Sequence, residues 1–377
     1  MRLKRKIRCS LAAIALAFAG PGCNGASRSA PETGEPAAVD PAAKAADPAA
    51  ETGERTESLA IENAAYAEAA EYSARHGGLA LVVIEADRVA LAIGQNGHRV
   101  DEAHPLHGAS ESFWGPVAVA ADRDGLFDLD EPVAFTIEEW ENLRWKNDVR
   151  IRQLLQYTSG LGSGVRALLQ DDPTNHYERA LTVEMVAAPG ERFQVGPSHL
   201  AVFGEVLRRK LAPEGSDALA YLERQILNPI GLEIASWKRD AAGNPDLANG
   251  ARMAASEWAK FGVVIRDRGT WRGEVVLDPK DIEMCLQRGE VQPSFGLTFW
   301  LNAHQPDAAH SRDSAAGQTA IYPEGFEDLI MAAGAGNQRL YVIPSLNLVV
   351  ARFGENDRSW RDPDFLALIT AAAASDN

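Results

Sequence analysis

Apolar residues recur along this chain at two spacings, one helical and one extended. Ala60, Ala64, Ala67, Ala70 and Ala74 fall at helical intervals, and His76-Gly77-Gly78 ends that pattern. Leu79-Ala80-Leu81-Val82-Val83-Ile84 then reads as a strand, with Val89 to Ile93 as its hairpin partner across Asp87. A helix is predicted over 109–121, with Phe113, Val117 and Ala120 on one face. Further helices are predicted from Ile151, stopped by Thr158-Ser159-Gly160, over about 198–210, around Trp258 to Ile265, and from Pro363 to about Ala373. Leu340 to Ile343 and Leu348 to Arg352 read as two strands turning through Pro344-Ser345 and Asn347. Strands at both ends with helices between them predict an α+β fold, one sheet closed by both termini around a helical insertion.

The N-terminus departs from this pattern. Arg2, Lys4, Arg5, Lys6 and Arg8 precede an apolar run from Leu11 to Phe18 that is too short to span a bilayer. Residues 1–22 therefore read as an export signal. Gly20-Pro21-Gly22-Cys23 resembles a bacterial lipoprotein cleavage site with Cys23 as the lipidated residue, although Gly20 stands where an aliphatic residue is usual. Residues 23–57 are rich in Ala, Pro, Glu and Thr, repeat Glu-Thr-Gly-Glu, and hold few large apolar residues. They are expected to be a disordered spacer ahead of a folded domain over 58–377.

Charge and cysteine content narrow the partners. The chain of 377 residues carries a net charge of −16. Such a surface repels nucleic acid and anionic membranes, leaving the lipid anchor as the route to a membrane. Beyond Cys9 and Cys23 only Cys285 remains, so neither an intrachain disulfide of the mature chain nor a multi-thiolate metal site is expected. Cys285 lies in a helical-looking run and reads as a buried structural thiol.

A set of segments carries a resemblance. They include Ser112-Phe113-Trp114-Gly115, Leu129-Asp130-Glu131-Pro132-Val133, and Leu154-Leu155-Gln156-Tyr157-Thr158-Ser159-Gly160-Leu161. Pro189-Gly190-Glu191-Arg192-Phe193, Trp258-Ala259-Lys260-Phe261-Gly262 and Phe295-Gly296-Leu297 follow, then Ala333-Gly334-Ala335-Gly336-Asn337-Gln338. Their order resembles serine β-lactamase-like and penicillin-binding-protein-like proteins, of the class C β-lactamase, esterase and 6-aminohexanoate-dimer-hydrolase type. The resemblance implies an antiparallel sheet flanked by helices, a mostly helical region, and a cleft between them. It also implies a Ser-x-x-Lys nucleophile on a helix and a tyrosine from a separate loop. A serine hydroxyl needs a neighbouring base to become nucleophilic, and a lysine one turn away supplies it.

Those positions are substituted here. Aligning Ser112-Phe113 with the residues that follow the lysine places Glu111 at the lysine and Gly108 at the nucleophile. Val195 falls at the tyrosine, and Pro197 where class C enzymes carry an asparagine. Three absences in one mechanism favour loss of acyl-serine chemistry and leave a residual cleft that binds a small-molecule or peptide-like ligand. Glu111, Pro197, Gly334, Gly336, Asn337 and Gln338 are the cleft candidates.

Two alternatives stand beside this reading. One is an active amide or ester hydrolase using Glu111 as a general base or cation-binding group, or recruiting a serine. Ser110 points about 200° round an α-helix from Gly108, whereas Ser112 shares its face one turn deeper. Both serines fit packing or capping as well. The other alternative is a structural envelope lipoprotein. No cofactor is expected. Glu102, His104 and His107 are the nearest approach to a metal cluster, and they read as surface groups, so no metal site is predicted. Trp114, Trp258 and Trp300 read as core. Oligomeric state is open.

Overall fold

The computed structural model describes residues 62–302, 321–323 and 325–375. The expected signal, Cys23 and the spacer lie outside them. The first helix, α1, spans Ala67–Arg75, followed by strands β1 (Gly78–Glu85) and β2 (Arg88–Gly94). A short strand β3 (His104–Pro105) leads through a 3-10 segment, His107–Phe113, into α2 (Trp114–Arg123). The helical region holds α3 (Ile151–Leu155), α4 (His176–Leu181), α5 (Pro197–Leu211), α6 (Ala218–Leu222) and α7 (Asn228–Ile230). Strands β4 (Ser236–Trp237) and β5 (Ala251–Met253) precede α8 (Ala255–Arg266), then β6 (Thr270–Trp271), β7 (Glu274–Val275) and α9 (Pro279–Cys285). The chain returns through β8 (Trp300–Leu301), β9 (Ile330–Gly334), β10 (Gln338–Ile343) and β11 (Leu348–Gly354) to α10 (Asp362–Ser375).

The main sheet is antiparallel with strand order β2-β1-β11-β10-β9-β8, so the N-terminal hairpin and the C-terminal strands close one sheet. Strand alternation sorts its residues into two cores. Leu81, Val83, Tyr341 and Val350 face Tyr66, Phe365, Leu366 and Ile369 of the N- and C-terminal helical segments. Ala80, Val82, Leu340, Val349 and Phe353 face the opposite way, into the larger core with Trp258 and Phe261 of α8. Helices therefore cover both faces, as the α+β expectation required.

A second, small sheet of order β3-β5-β4 joins the approach to the 3-10 segment with the chain before α8. His104 pairs with Met253, and Pro105 with Arg252. This sheet and β9 hold the His107–Phe113 segment from two sides.

Candidate active site

The helix expected over 109–121 divides in two. His107–Phe113 is 3-10, and α-helix starts only at Trp114. The serines explain the tighter winding. Ser110 Oγ donates to the His107 carbonyl at 2.7 Å, and Ser112 Oγ donates to the Ala109 carbonyl at 2.8 Å. Both bonds reach back three residues and compete with the α-helical ladder. With three residues per turn, Gly108 and Glu111 eclipse one another on one face. Ser112 then lies about 120° away from Gly108, which corrects the shared face that α-helical winding implied. Ser110 also accepts from the Ala251 N–H at 3.1 Å, and both serines are buried. Neither hydroxyl is presented to the cleft.

Gly108 sits against the end of β9. A Cβ at this position would lie 3.5 Å from the Ala333 carbonyl oxygen and 3.9 Å from Gly334 Cα. Gly334 provides the docking point, since its own Cβ would come within 2.1 Å of the Leu106 carbonyl oxygen. The other turn candidates do different work. Gln338 is buried, its amide donating to the Gly354 carbonyl at 2.7 Å and accepting from the Gly354 N–H at 3.0 Å. Asn337 Nδ2 donates to the Asp357 carbonyl at 2.9 Å. Gly336, Asn337 and Gln338 thus belong to the β9–β10 turn and its link to the end of β11, which corrects their placement in the cleft.

Glu111 is partly exposed as a residue, but its carboxyl group is enclosed by protein. Burial pushes its pKa up to about 8, the Tyr157 hydroxyl opposes that rise, and the negative charge of Asp246 adds to it. At neutral pH Glu111 is therefore a protonated acid. In that form it is a hydrogen-bond donor, which counts against its use as a general base or cation site.

Tyr157 is fully buried with a left-handed backbone, φ 56°. Its hydroxyl faces Glu111 without a well-formed hydrogen bond to any protein group. Its ring packs on His199 at 5.1 Å and stacks on Phe295 at 5.3 Å. His199 Nδ1 lies 2.9 Å from Ser159 Oγ, while Nε2 is buried without a partner. Burial lowers the His199 pKa to about 4, so the ring is neutral at physiological pH. The Gln194 N–H donates to the Tyr157 carbonyl at 2.8 Å and binds the loop carrying Val195 to this cluster. Val195 packs partly buried against the core, and Pro197 opens α5. Tyr157, His199 and Asp246 escaped the sequence reading. Thr158-Ser159-Gly160 marked a helix stop and Tyr157 stood only within a family-like segment, and nothing local announces that its phenol meets Glu111.

A depression of about 580 Å³ opens beside the 3-10 segment, lined by His107, Trp237, Lys238, Asp246, Asn249 and Arg252 among others. Asp246 Oδ1 accepts from the Ala248 and Asn249 N–H groups at 3.2 and 3.0 Å, leaving Oδ2 unpartnered. Lys238 and Arg252 are exposed, and among the described residues neither pairs with a carboxylate. Burial lowers the pKa of His107. Trp114 and Trp258 are fully buried, and Trp300 packs on Phe295 at 4.8 Å, so the three tryptophans are packing residues. Cys285 is a buried free thiol whose pKa burial raises well above the usual thiol range.

The Beta-lactamase family model matches residues 63–364. No curated protein sequence matches the chain. Among solved structures, a Bacillus anthracis protein provisionally named a 6-aminohexanoate-dimer hydrolase superposes with a TM-score of 0.65 at 16% identity, covering 81% of this chain and 80% of its own. A penicillin-binding protein homologue from Caulobacter crescentus gives 0.63 at 15% identity, covering 84% and 99%. A family VIII carboxylesterase gives 0.62 at 15% identity, also covering 84% and 99%. At these identities the structures establish a shared fold. With the family model spanning most of its length, the chain belongs to the Beta-lactamase family of serine hydrolases.

Proposed function

We propose that this chain is an exported family member, anchored through a lipidated Cys23, that has given up acyl-serine catalysis. Its residual cleft binds a small or peptide-like ligand bearing an acidic group. The observation that carries this reading is the pair Gly108 and Glu111 on one face of the 3-10 segment. Gly108 offers no side chain, and Glu111, protonated at neutral pH, offers no base to activate a hydroxyl nearby. Val195 adds no phenol. Next to these residues, lined by His107 and not by Gly108 or Glu111 themselves, lies an open depression with two exposed cations, Lys238 and Arg252, on an otherwise acidic protein. These cations favour a carboxylate-bearing ligand.

Incubation with a fluorophosphonate probe and a labelled penicillin tests the loss of chemistry. No covalent adduct is expected, and an adduct on a cleft serine would overturn the reading. Thermal-shift screening of acyl amino acids and short acidic peptides tests binding. A ligand found this way should bind at least several-fold more weakly to Lys238→Ala and Arg252→Ala. Export is checked by fractionation, with Cys23→Ala expected to leave the membrane fraction.

One observation favours a second reading. A protonated Glu111 facing Tyr157 resembles a general acid held ready for proton donation. A screen with nitrophenyl esters and short amides separates the two. Turnover abolished by Glu111→Gln would select this reading over the first.

A further inference from the structure

The loop between β2 and β3 and the first residue of β3 bring together three side chains from one seven-residue stretch. His98, Glu102 and His104 each offer one donor atom, and these atoms all lie within 4.8 Å of one another. His98 Nδ1 stands 3.6 Å from Glu102 Oε2. The two imidazole rings have centroids 5.3 Å apart at 62°. Sequence spacing had drawn attention to His104 and His107. The structure gives them different surroundings: His107 lines the depression described above, whereas His104 joins His98 and Glu102.

A second observation points to a missing partner. His104 Nε2 is shut off from solvent and has no hydrogen-bond partner. A buried ring nitrogen in that condition is uncommon, and a metal ion is one group that satisfies it. One side of the His104 ring rests on Phe353, with centroids 5.5 Å apart, which gives the site an apolar wall.

We propose that His98, Glu102 and His104 form a site for a divalent transition-metal ion, with zinc the best match. Two imidazoles and one carboxylate are a zinc-type donor set. Tetrahedral zinc holds such donors about 3.4 Å apart. The three donor atoms need to draw in by up to about 1.4 Å, which side-chain rotation can supply. The exposed position of Glu102 leaves room for water as a fourth ligand. Arg99 does not compete for that carboxylate, since its Nε donates to Asp101 at 2.9 Å. Arg252 is the cation opposed to the site, and Glu102 offsets it. A bound ion would fasten the β2–β3 loop to β3 and so brace the strand that leads into the His107–Phe113 segment.

The test uses chelator-treated, untagged protein and zinc chloride. Calorimetry should show one zinc per chain, and thermal unfolding should move up on zinc addition. His98→Ala and His104→Ala should each weaken binding at least tenfold, Glu102→Gln less, and His107→Ala not at all. Cobalt(II) in place of zinc should give the visible absorption of a four-coordinate site, lost in His104→Ala. Circular dichroism of each variant separates lost binding from lost fold, and His98→Asn provides a second, milder substitution. Absence of saturable binding, or binding that survives both histidine replacements, would overturn the proposal. Because no step depends on the depression or on Glu111, failure here leaves the ligand-binding reading untouched, and the reverse also holds.

Discussion

Glu111 owes its charge state to residues that lie far from it in sequence. Desolvation raises its pKa to about 8, whereas the unfolded chain ionises it near 4.5. Between those values the unfolded state binds fewer protons than the folded one, so stability falls as pH rises from about 4.5 to about 8 and then levels off. The loss is on the order of a few kcal/mol. Glu111→Gln keeps the shape and cannot ionise. It should match the wild type near pH 4.5 and exceed it in melting temperature by a widening margin up to pH 8, as thermal unfolding across pH would show. A parallel curve for the two proteins would mean that the Glu111 carboxyl is solvated. His199 bends the acid side in the opposite sense. Its pKa is lowered to about 4 by burial, so it withdraws stability as pH falls below the ordinary histidine value of 6.5. The position of Glu111 was legible because a motif surrounds it. Its protonation was not, because the burial that raises its pKa, and the smaller push from Asp246, arise only through the fold.

Elements with a strong side-chain pattern were legible, and those defined by close backbone approach were not. The β-branched runs of β1, β10 and β11 declare themselves, and each forms within a residue or two of expectation. Strand β9 reads Ile-Met-Ala-Ala-Gly, a composition with no strand preference, and it exists because β10 and β8 pair with it on both sides. The 3-10 winding of His107–Phe113 likewise depends on two serine hydroxyls and the Gly334 contact. Some glycines stand where another group approaches too closely for a side chain. A Cβ on Gly115 would stand 2.3 Å from the Leu297 carbonyl oxygen, and one on Gly204 would stand 2.3 Å from the Tyr177 ring. Gly115→Ala and Gly204→Ala should each destabilise by about 1–3 kcal/mol in urea unfolding. Gly108→Ser is the contrast. Its Cβ would find ordinary contact distances, so it should fold with a change below about 1 kcal/mol and still take no fluorophosphonate label. A large loss of stability in Gly108→Ser would show that the glycine is kept for packing and not merely tolerated there.

At the scale of the whole molecule, strands from both ends of the described residues join one sheet, and Asp362 is where the last helix is bolted to it. Arg339 Nε donates to Asp362 Oδ1 at 2.7 Å, Tyr341 also donates to that carboxylate, and Trp360 Nε1 donates to it at 3.1 Å. Burial works against the charge of Asp362, but Arg339 and these donors hold its carboxyl below the usual aspartate range. The Arg339 side chain is itself almost enclosed, so removing the carboxylate strands a buried cation. Asp362→Asn should therefore cost about 3–5 kcal/mol at pH 7. The sign with pH follows from the lowered pKa: the contribution is present above the unfolded value of 3.8 and is lost as pH falls through the folded one. The gap in urea midpoint between wild type and Asp362→Asn should thus stay level above pH 3.8 and close as pH falls below it through the lowered folded value. The wider consequence is that α10 covers Leu81, Val83, Tyr341 and Val350 through Phe365, Leu366 and Ile369. Loosening one carboxylate should expose that whole core to dye binding, while the Glu111 cleft on the opposite side of the sheet is reached only when the fold fails as a unit. A variant that binds dye yet keeps the tyrosine and tryptophan environment of the larger core would show that the two cores unfold separately.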